Sequence, residues 1–145
     1  MDEILEKTLA YYQKHNYSLV LKKDNLILYS SDRSIKTLRK LVNTNKDFSN
    51  FAACDNVVGK GAAFLYLFLN IKHIYTPLIS VPALRLLAEN GVQVVFEELV
   101  ENIINVDKTD LCPMEKATLN INNKEDALKA IDETSIRLAH QQNNI

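Results

Sequence analysis

Cysteine is scarce in this chain of 145 residues. There are two, Cys54 and Cys112, too far apart for a C-x-x-C pair. That excludes a disulfide scaffold and a zinc knuckle, and free thiols suit a reducing cytoplasm. No charge of one sign dominates: 17 Lys+Arg against 18 Asp+Glu leave a formal −1, so no broad field draws nucleic acid or a membrane surface. Long apolar runs are missing as well. The longest, Ala62 to Leu69, has eight residues, whereas a bilayer crossing takes about 20. Met1-Asp2-Glu3 has neither the basic start nor the apolar core of a secretory leader. There is no internal repeat; the one biased stretch is the polar tail Gln141-Gln142-Asn143-Asn144, expected to fray.

What is present is ordinary globular material, 47% hydrophobic and 24% charged. At this length it reads as a single domain over 1–145 with a core of its own. Ile4, Leu5, Thr8, Leu9 and Tyr12 recur at helical spacing, predicting a surface helix over 2–15. Tyr17–Lys23 and Leu26–Ser30, two short apolar runs around Asp24-Asn25, predict a β-hairpin. An amphipathic helix follows over 34–43 with Ser34 as N-cap. Residues 45–54 read as a loop or irregular strand, and Asp55 as the cap of a buried helix running to about Asn70. His73–Ile79 is a strand that Pro77 should end or bulge. Ser80 caps a helix that Gly91 closes, and Val92–Phe96 is a further strand. Glu97–Asn105 reads as a short helix, Pro113 as the start of another, and Asn122 or Asn123 as the cap of a last helix to about His140. The alternation predicts a three-layer α/β/α fold. Its mixed sheet opens with an antiparallel hairpin and continues with parallel strands.

Three stretches have the residue types of a site. In Asp55-Asn56-Val57-Val58-Gly59-Lys60-Gly61, an acid precedes a lysine on an apolar helix. Such a lysine either snorkels to the surface, pairs with an acid, or lies in a cleft with a lowered pKa. A phosphate loop is excluded, because the G-x-x-x-x-G-K-[ST] pattern would need Gly where Cys54 stands and Ser or Thr where Gly61 stands. In Cys112-Pro113-Met114-Glu115, a thiol stands directly before a helix start and a carboxyl group one turn on. The acidic run from Glu97 to Glu115 reads as a solvated face that could set a carboxylate opposite Lys60. The histidines, His15, His73 and His140, share no spacing.

These motifs carry a resemblance. Leu28-Tyr29-Ser30-Ser31-Asp32, Asp55-x-Val57-Val58-Gly59-Lys60, Ile79-Ser80-x-Pro82-Ala83, Ile103-Ile104-Asn105 and Cys112-Pro113-Met114-Glu115-Lys116-Ala117 stand in the order of a small bacterial family of unknown function. That family has the fold of the cytidine deaminase superfamily. The likeness spans about residues 17–118 and leaves out the flanking helices over 2–15 and 123–140. It implies a cytidine deaminase-like fold. It does not imply deamination: where zinc deaminases carry H/C-x-E and P-C-x-x-C, this chain has Asp55-Asn56-Val57-Val58 and Ser80-Val81-Pro82-Ala83. No metal or cofactor is therefore expected.

The expected site is the cleft where the two core helices begin, at the carboxyl ends of parallel strands. Asp55, Lys60, Cys112 and Glu115 are the candidate catalytic residues, and Asn56, Gly59 and Ser80 the candidate ligand-binding ones. Three functions fit. One is a metal-independent enzyme acting on a small nucleotide-like molecule, with Cys112 as nucleophile, Glu115 or Asp55 as acid/base and Lys60 as electrostatic stabiliser. One is a non-catalytic binding protein that keeps the cleft. One is an interaction module that assembles as a homo-oligomer. A nucleic-acid partner is not expected, because the basic strip from Arg33 to Lys46 has no interleaved aromatics.

Overall fold

Short runs rich in branched and apolar side chains pair most favourably with one another, and here they form one mixed sheet. The computed structural model describes residues 1–143. Its strands are β1 (Leu19–Lys23), β2 (Leu26–Ser30), β3 (Ala52–Asp55), β4 (Val57–Val58), β5 (His73–Ser80) and β6 (Gln93–Val100). Its helices are α1 (Glu3–Lys14), α2 (Ser34–Asn43), α3 (Lys60–Leu69), α4 (Val81–Glu89), α5 (Pro113–Thr118) and α6 (Lys124–Asn143). The expected hairpin forms, with Asp24 taking the left-handed turn conformation at φ 52. β1 pairs antiparallel with β2 and with β3, whereas β3, β4 and β6 all run parallel to β5.

β6 follows β5 from His73 opposite Gln93 to Ser80 opposite Val100. β3 and β4 therefore share the other edge of β5, at 73–75 and 78–79. They hold the same register on that edge, so Asp55 and Asn56 fall opposite Thr76 and Pro77. Pro77 has no N–H to donate, and the ladder lapses there. On its other side the Asn56 amide continues the β1 ladder, donating to the Ser18 carbonyl at 2.9 Å. One proline thus opens a gap inside the sheet, and Asp55 stands at its edge.

Side chains alternate across the sheet. Leu19, Leu21, Ala53 and Ile74 face a large core shared with Leu38 of α2, Leu65 and Leu69 of α3, Leu87 of α4 and Ile131 of α6; beyond Pro77 the alternation in β5 shifts, and Ile79 joins the same core. Ala52, Cys54 and Tyr75 face the other way, onto Leu5 of α1. Helices therefore cover both faces. α3 is buried on nearly all sides, as its uniform apolar sequence requires. Arg39 of α2 fastens α6 through Asp132, with Nε and Nη2 donating at 2.7 and 2.9 Å.

Several boundaries differ from the sequence expectation. Asp55 does not cap a helix: it ends β3, Val57-Val58 pair as β4, and α3 starts at Lys60 behind Gly59. Valine favours a strand where a partner edge is open, and Leu78-Ile79 supply one. Glu97–Asn105 is not a helix, because β6 runs on to Val100 along β5. Arg33, not Ser34, occupies the α2 N-cap, and it makes no side-chain cap bond. Ser80 does cap α4, accepting from the Ala83 amide at 3.3 Å, and Gly91 takes φ 76 beyond its end. Asn123 caps α6, accepting from the Asp126 amide at 2.9 Å. Asn144, in the tail expected to fray, lies outside the described residues. No helix among the described residues is long and apolar enough to cross a membrane.

Candidate functional site

The gap beside Pro77 leaves Asp55 fully buried yet only half bonded. The Tyr66 hydroxyl of α3 donates to its Oδ2 at 2.7 Å, and its Oδ1 has no hydrogen-bond partner. A buried carboxyl oxygen without a donor is costly and rare. Burial pushes the Asp55 pKa up to about 6; the Tyr66 bond, and the nearby Ser34 hydroxyl and Val57 amide, pull it back in part. Asp55 lines a cavity of about 320 Å³, walled largely by apolar groups such as Ile35, Ile103, Ile104, Val106 and Met114. A mostly apolar hollow with a few polar groups is the usual form of a small-molecule site.

Glu115 is the second buried carboxyl group, 1% exposed, and its oxygens are fully engaged. Oε1 accepts from the Lys60 amide at 2.8 Å and from the Ser80 hydroxyl at 2.9 Å. Oε2 accepts from the Ile103 amide. One side chain of α5 therefore satisfies the first turn of α3, the cap of α4 and the loop after β6. The first amides of a helix lack internal partners, and a carboxylate there also meets the positive end of the dipole. Gly59 makes room for it: a Cβ on that residue would stand 3.4 Å from Glu115 Oε1 and 3.3 Å from Ile103 Cγ1. The geometry makes Glu115 a strut, with both oxygens hydrogen-bonded, unlike Asp55 with its unpartnered Oδ1.

The remaining candidates divide. Asn56, Gly59 and Cys112 line the Asp55 cavity, as Glu115 does. Ser80 is buried beneath it, bonded to Glu115. Asn56 Oδ1 accepts from the Tyr12 hydroxyl, tying α1 to the gap. Lys60 does not line this cavity; only its amide is tied to it, through Glu115. Its ammonium group donates to the Leu119 carbonyl at 2.8 Å, lies 5.7 Å from the Phe64 ring centre, and lines a separate open cavity of about 850 Å³. Successive helix residues point about 100° apart, so with Gly61 and Ala62 on the cavity side Lys60 faces away. Desolvation lowers the Lys60 pKa, against the opposing pull of Glu115 and Glu89.

The two thiols differ sharply. Cys54 is buried under α1, where desolvation and then Asp55 push its pKa up to about 12. Cys112 is half-buried at the cavity wall. A small aromatic disulfide reagent should therefore label one thiol per native chain and two in denaturant. Labelling of Cys54 in the native protein would contradict that burial.

Sequence reasoning passed over Tyr66, Ser34 and Arg33. Tyr66 left a signal: a hydroxyl on a wholly apolar helix must find a buried partner. Ser34 and Arg33 left none, because only folding brings the start of α2 to the cavity. Among the described residues, no three His, Cys, Asp or Glu side chains gather in a geometry that could hold a metal ion.

An α/β protein with a mixed sheet and one half-satisfied carboxyl group in an apolar cavity is the class these observations define. The chain belongs to the TM1506 family, described as a domain of unknown function (DUF1893), which it matches over residues 7–134. It is similar to the crystal structure of a DUF1893 family protein, TM1506, from Thermotoga maritima. The two share 26% identity at a TM-score of 0.84, over 92% of this chain and 91% of that one. No curated protein matches it.

Proposed function

We propose that this chain is a small-molecule-binding protein with a cytidine deaminase-like fold, whose cavity takes a nucleotide-like ligand through an N–H group that donates to Asp55. The unpartnered Oδ1 of Asp55, buried in that cavity, carries the reading. A ligand donor would satisfy an acceptor that the protein leaves open. Support for the fold comes from the strand pattern, antiparallel through β2, β1 and β3 and parallel from there. It comes also from α3 and α4, which follow β4 and β5 and start on one shared carboxyl group. The zinc of that superfamily does not fit the side chains here. Asp55 and Ser80 stand where the two motifs would, and neither is a His or Cys; Asp55 Oδ2 accepts from Tyr66, and the Ser80 hydroxyl is engaged with Glu115 and the Ala83 amide. No deamination step follows.

Thermal shift against nucleosides and nucleotides tests the reading. A ligand at about 100 times its Kd should add about 2.7 kcal/mol, about 9 °C for a domain of this size, and Asp55→Asn should lose most of that shift. No shift from any such compound, or an equal shift in the variant, overturns it. Cys112 on the same cavity wall favours a second reading, a metal-independent enzyme with Cys112 as nucleophile and Asp55 as proton acceptor. Turnover that survives alkylation of Cys112 would remove it.

A further inference from the structure

Among the polar residues that line the cavity, which include Ser34, Asn56, Asn105 and Glu115, two charged ones keep unpaired polar atoms: one buried inside and one exposed at the entrance. Asp55 stands inside with Oδ1 unpaired. Arg33, ahead of α2, lines the same cavity and is exposed. Its backbone amide donates to the Asp32 carboxyl group at 2.8 Å, and the Asp32 carboxyl group also lies 3.8 Å from the Lys36 ammonium. The Arg33 guanidinium itself makes no ion pair among the described residues. The rest of the wall is largely apolar. Ile104 and Val106 stay 58% and 88% exposed at the mouth, an apolar surface that a bound body would cover.

We propose that the cavity takes a two-ended ligand: an N–H donor group for Asp55, a flat apolar body between the isoleucine walls, and an anionic group, carboxylate or phosphate, for the Arg33 guanidinium at the rim. The inference rests on the reading that the Asp55 cavity is the ligand site, and adds the chemistry of the ligand's outer end. A guanidinium with no ion pair of its own, beside an apolar mouth, suits a planar anion, which it can bind through two parallel N–H groups. A simple anion is disfavoured at the inner end, because the Asp55 carboxylate would repel it.

Three aromatic probes separate the parts by isothermal titration calorimetry: benzamidine, 4-amidinobenzoate and benzoate. Benzamidine should bind through the buried inner end, 4-amidinobenzoate should bind about tenfold more tightly, and benzoate should not bind, since an ion pair at the exposed rim alone contributes little. Arg33→Met should bring the affinity ratio of the two amidines to about one. Asp55→Asn should weaken both amidines by tenfold or more, with its melting curve confirming the fold. In the wild type, benzamidine affinity should rise by about tenfold from pH 5 to pH 7 as Asp55 ionises. Equal affinity for the two amidines, or a ratio that survives Arg33→Met, overturns the two-ended ligand while leaving Asp55 as an anchor. If neither amidine binds, or both bind Asp55→Asn unchanged, the reading of the cavity as a ligand site falls with it.

Discussion

Glu115→Ala is expected to cost about 3–5 kcal/mol, enough to leave the domain marginal or unfolded at 25 °C. The variant strands three buried donors at once: the Lys60 amide, the Ser80 hydroxyl and the Ile103 amide. Each orphaned donor costs about 1–3 kcal/mol, and domains of this size hold only about 5–15 kcal/mol in total. The loss is cooperative, because the same oxygens position α3, α4 and the loop that walls the cavity. Glu115→Gln separates hydrogen bonding from charge. Its carbonyl oxygen can keep the Lys60 and Ser80 bonds, but its NH₂ then faces the Ile103 amide, donor against donor, so about 2 kcal/mol should still be lost. Urea unfolding followed by circular dichroism measures both. A loss below about 1 kcal/mol for the alanine variant would contradict the strut.

Asp55→Asn is expected to act in the opposite direction at neutral pH. Burial raises the folded pKa from 3.8 to about 6. In the unfolded chain the group titrates near its ordinary value. Between those values the folded state holds a proton that the unfolded state has released, so stability falls as pH rises. The favourable contribution is complete below about pH 4 and lost above about pH 6. A shift of this size corresponds to about 3 kcal/mol. Asparagine does not ionise, so the difference between variant and wild type should change by about that amount between pH 4 and pH 8, in favour of the variant at pH 8. The absolute gain at pH 8 should be smaller, about 1–2 kcal/mol, because the new NH₂ also needs a partner in the cavity. A difference that stays constant with pH would show that Asp55 is not held in the desolvated state described here. A variant that is more stable and binds less is the usual mark of a residue kept for a site.

Much of the frame was legible before the structure. The hairpin, the amphipathic α2, the buried α3, the Ser80 cap, the Gly91 stop and the Pro113 start each depend on a local preference that acts over a few residues. The failures share a different cause. Asp55-Asn56-Val57-Val58 looks like a capped helix start when read alone, and becomes strand because Leu78-Ile79 offer an open parallel edge. Glu97-Glu98 look too polar for a strand, and β6 tolerates them because it lies at the sheet margin, where charged side chains reach water.

The site divides in the same way. Asp55, Asn56, Gly59, Cys112 and Glu115 were identifiable as a group from their motifs, and they line one cavity. Their separate places in it were not identifiable. Both Asp55 and Glu115 are acids near helix starts, and nothing local distinguishes them. Tertiary packing gives both Glu115 oxygens well-formed hydrogen bonds from three donors, but gives Asp55 one, from Tyr66, with the Ser34 hydroxyl and Val57 amide nearby and Oδ1 left without a well-formed bond. Lys60 belongs to the strongest motif, yet the helical turn sends its ammonium group to Leu119. The sequence by itself determined the elements, the alternating layers and the residues from which a site would be drawn, because caps, turns and periodicity act at short range. Only the tertiary structure decided which acid stays unpaired, since hydrogen-bond saturation depends on amides 12 to 55 residues away along the chain.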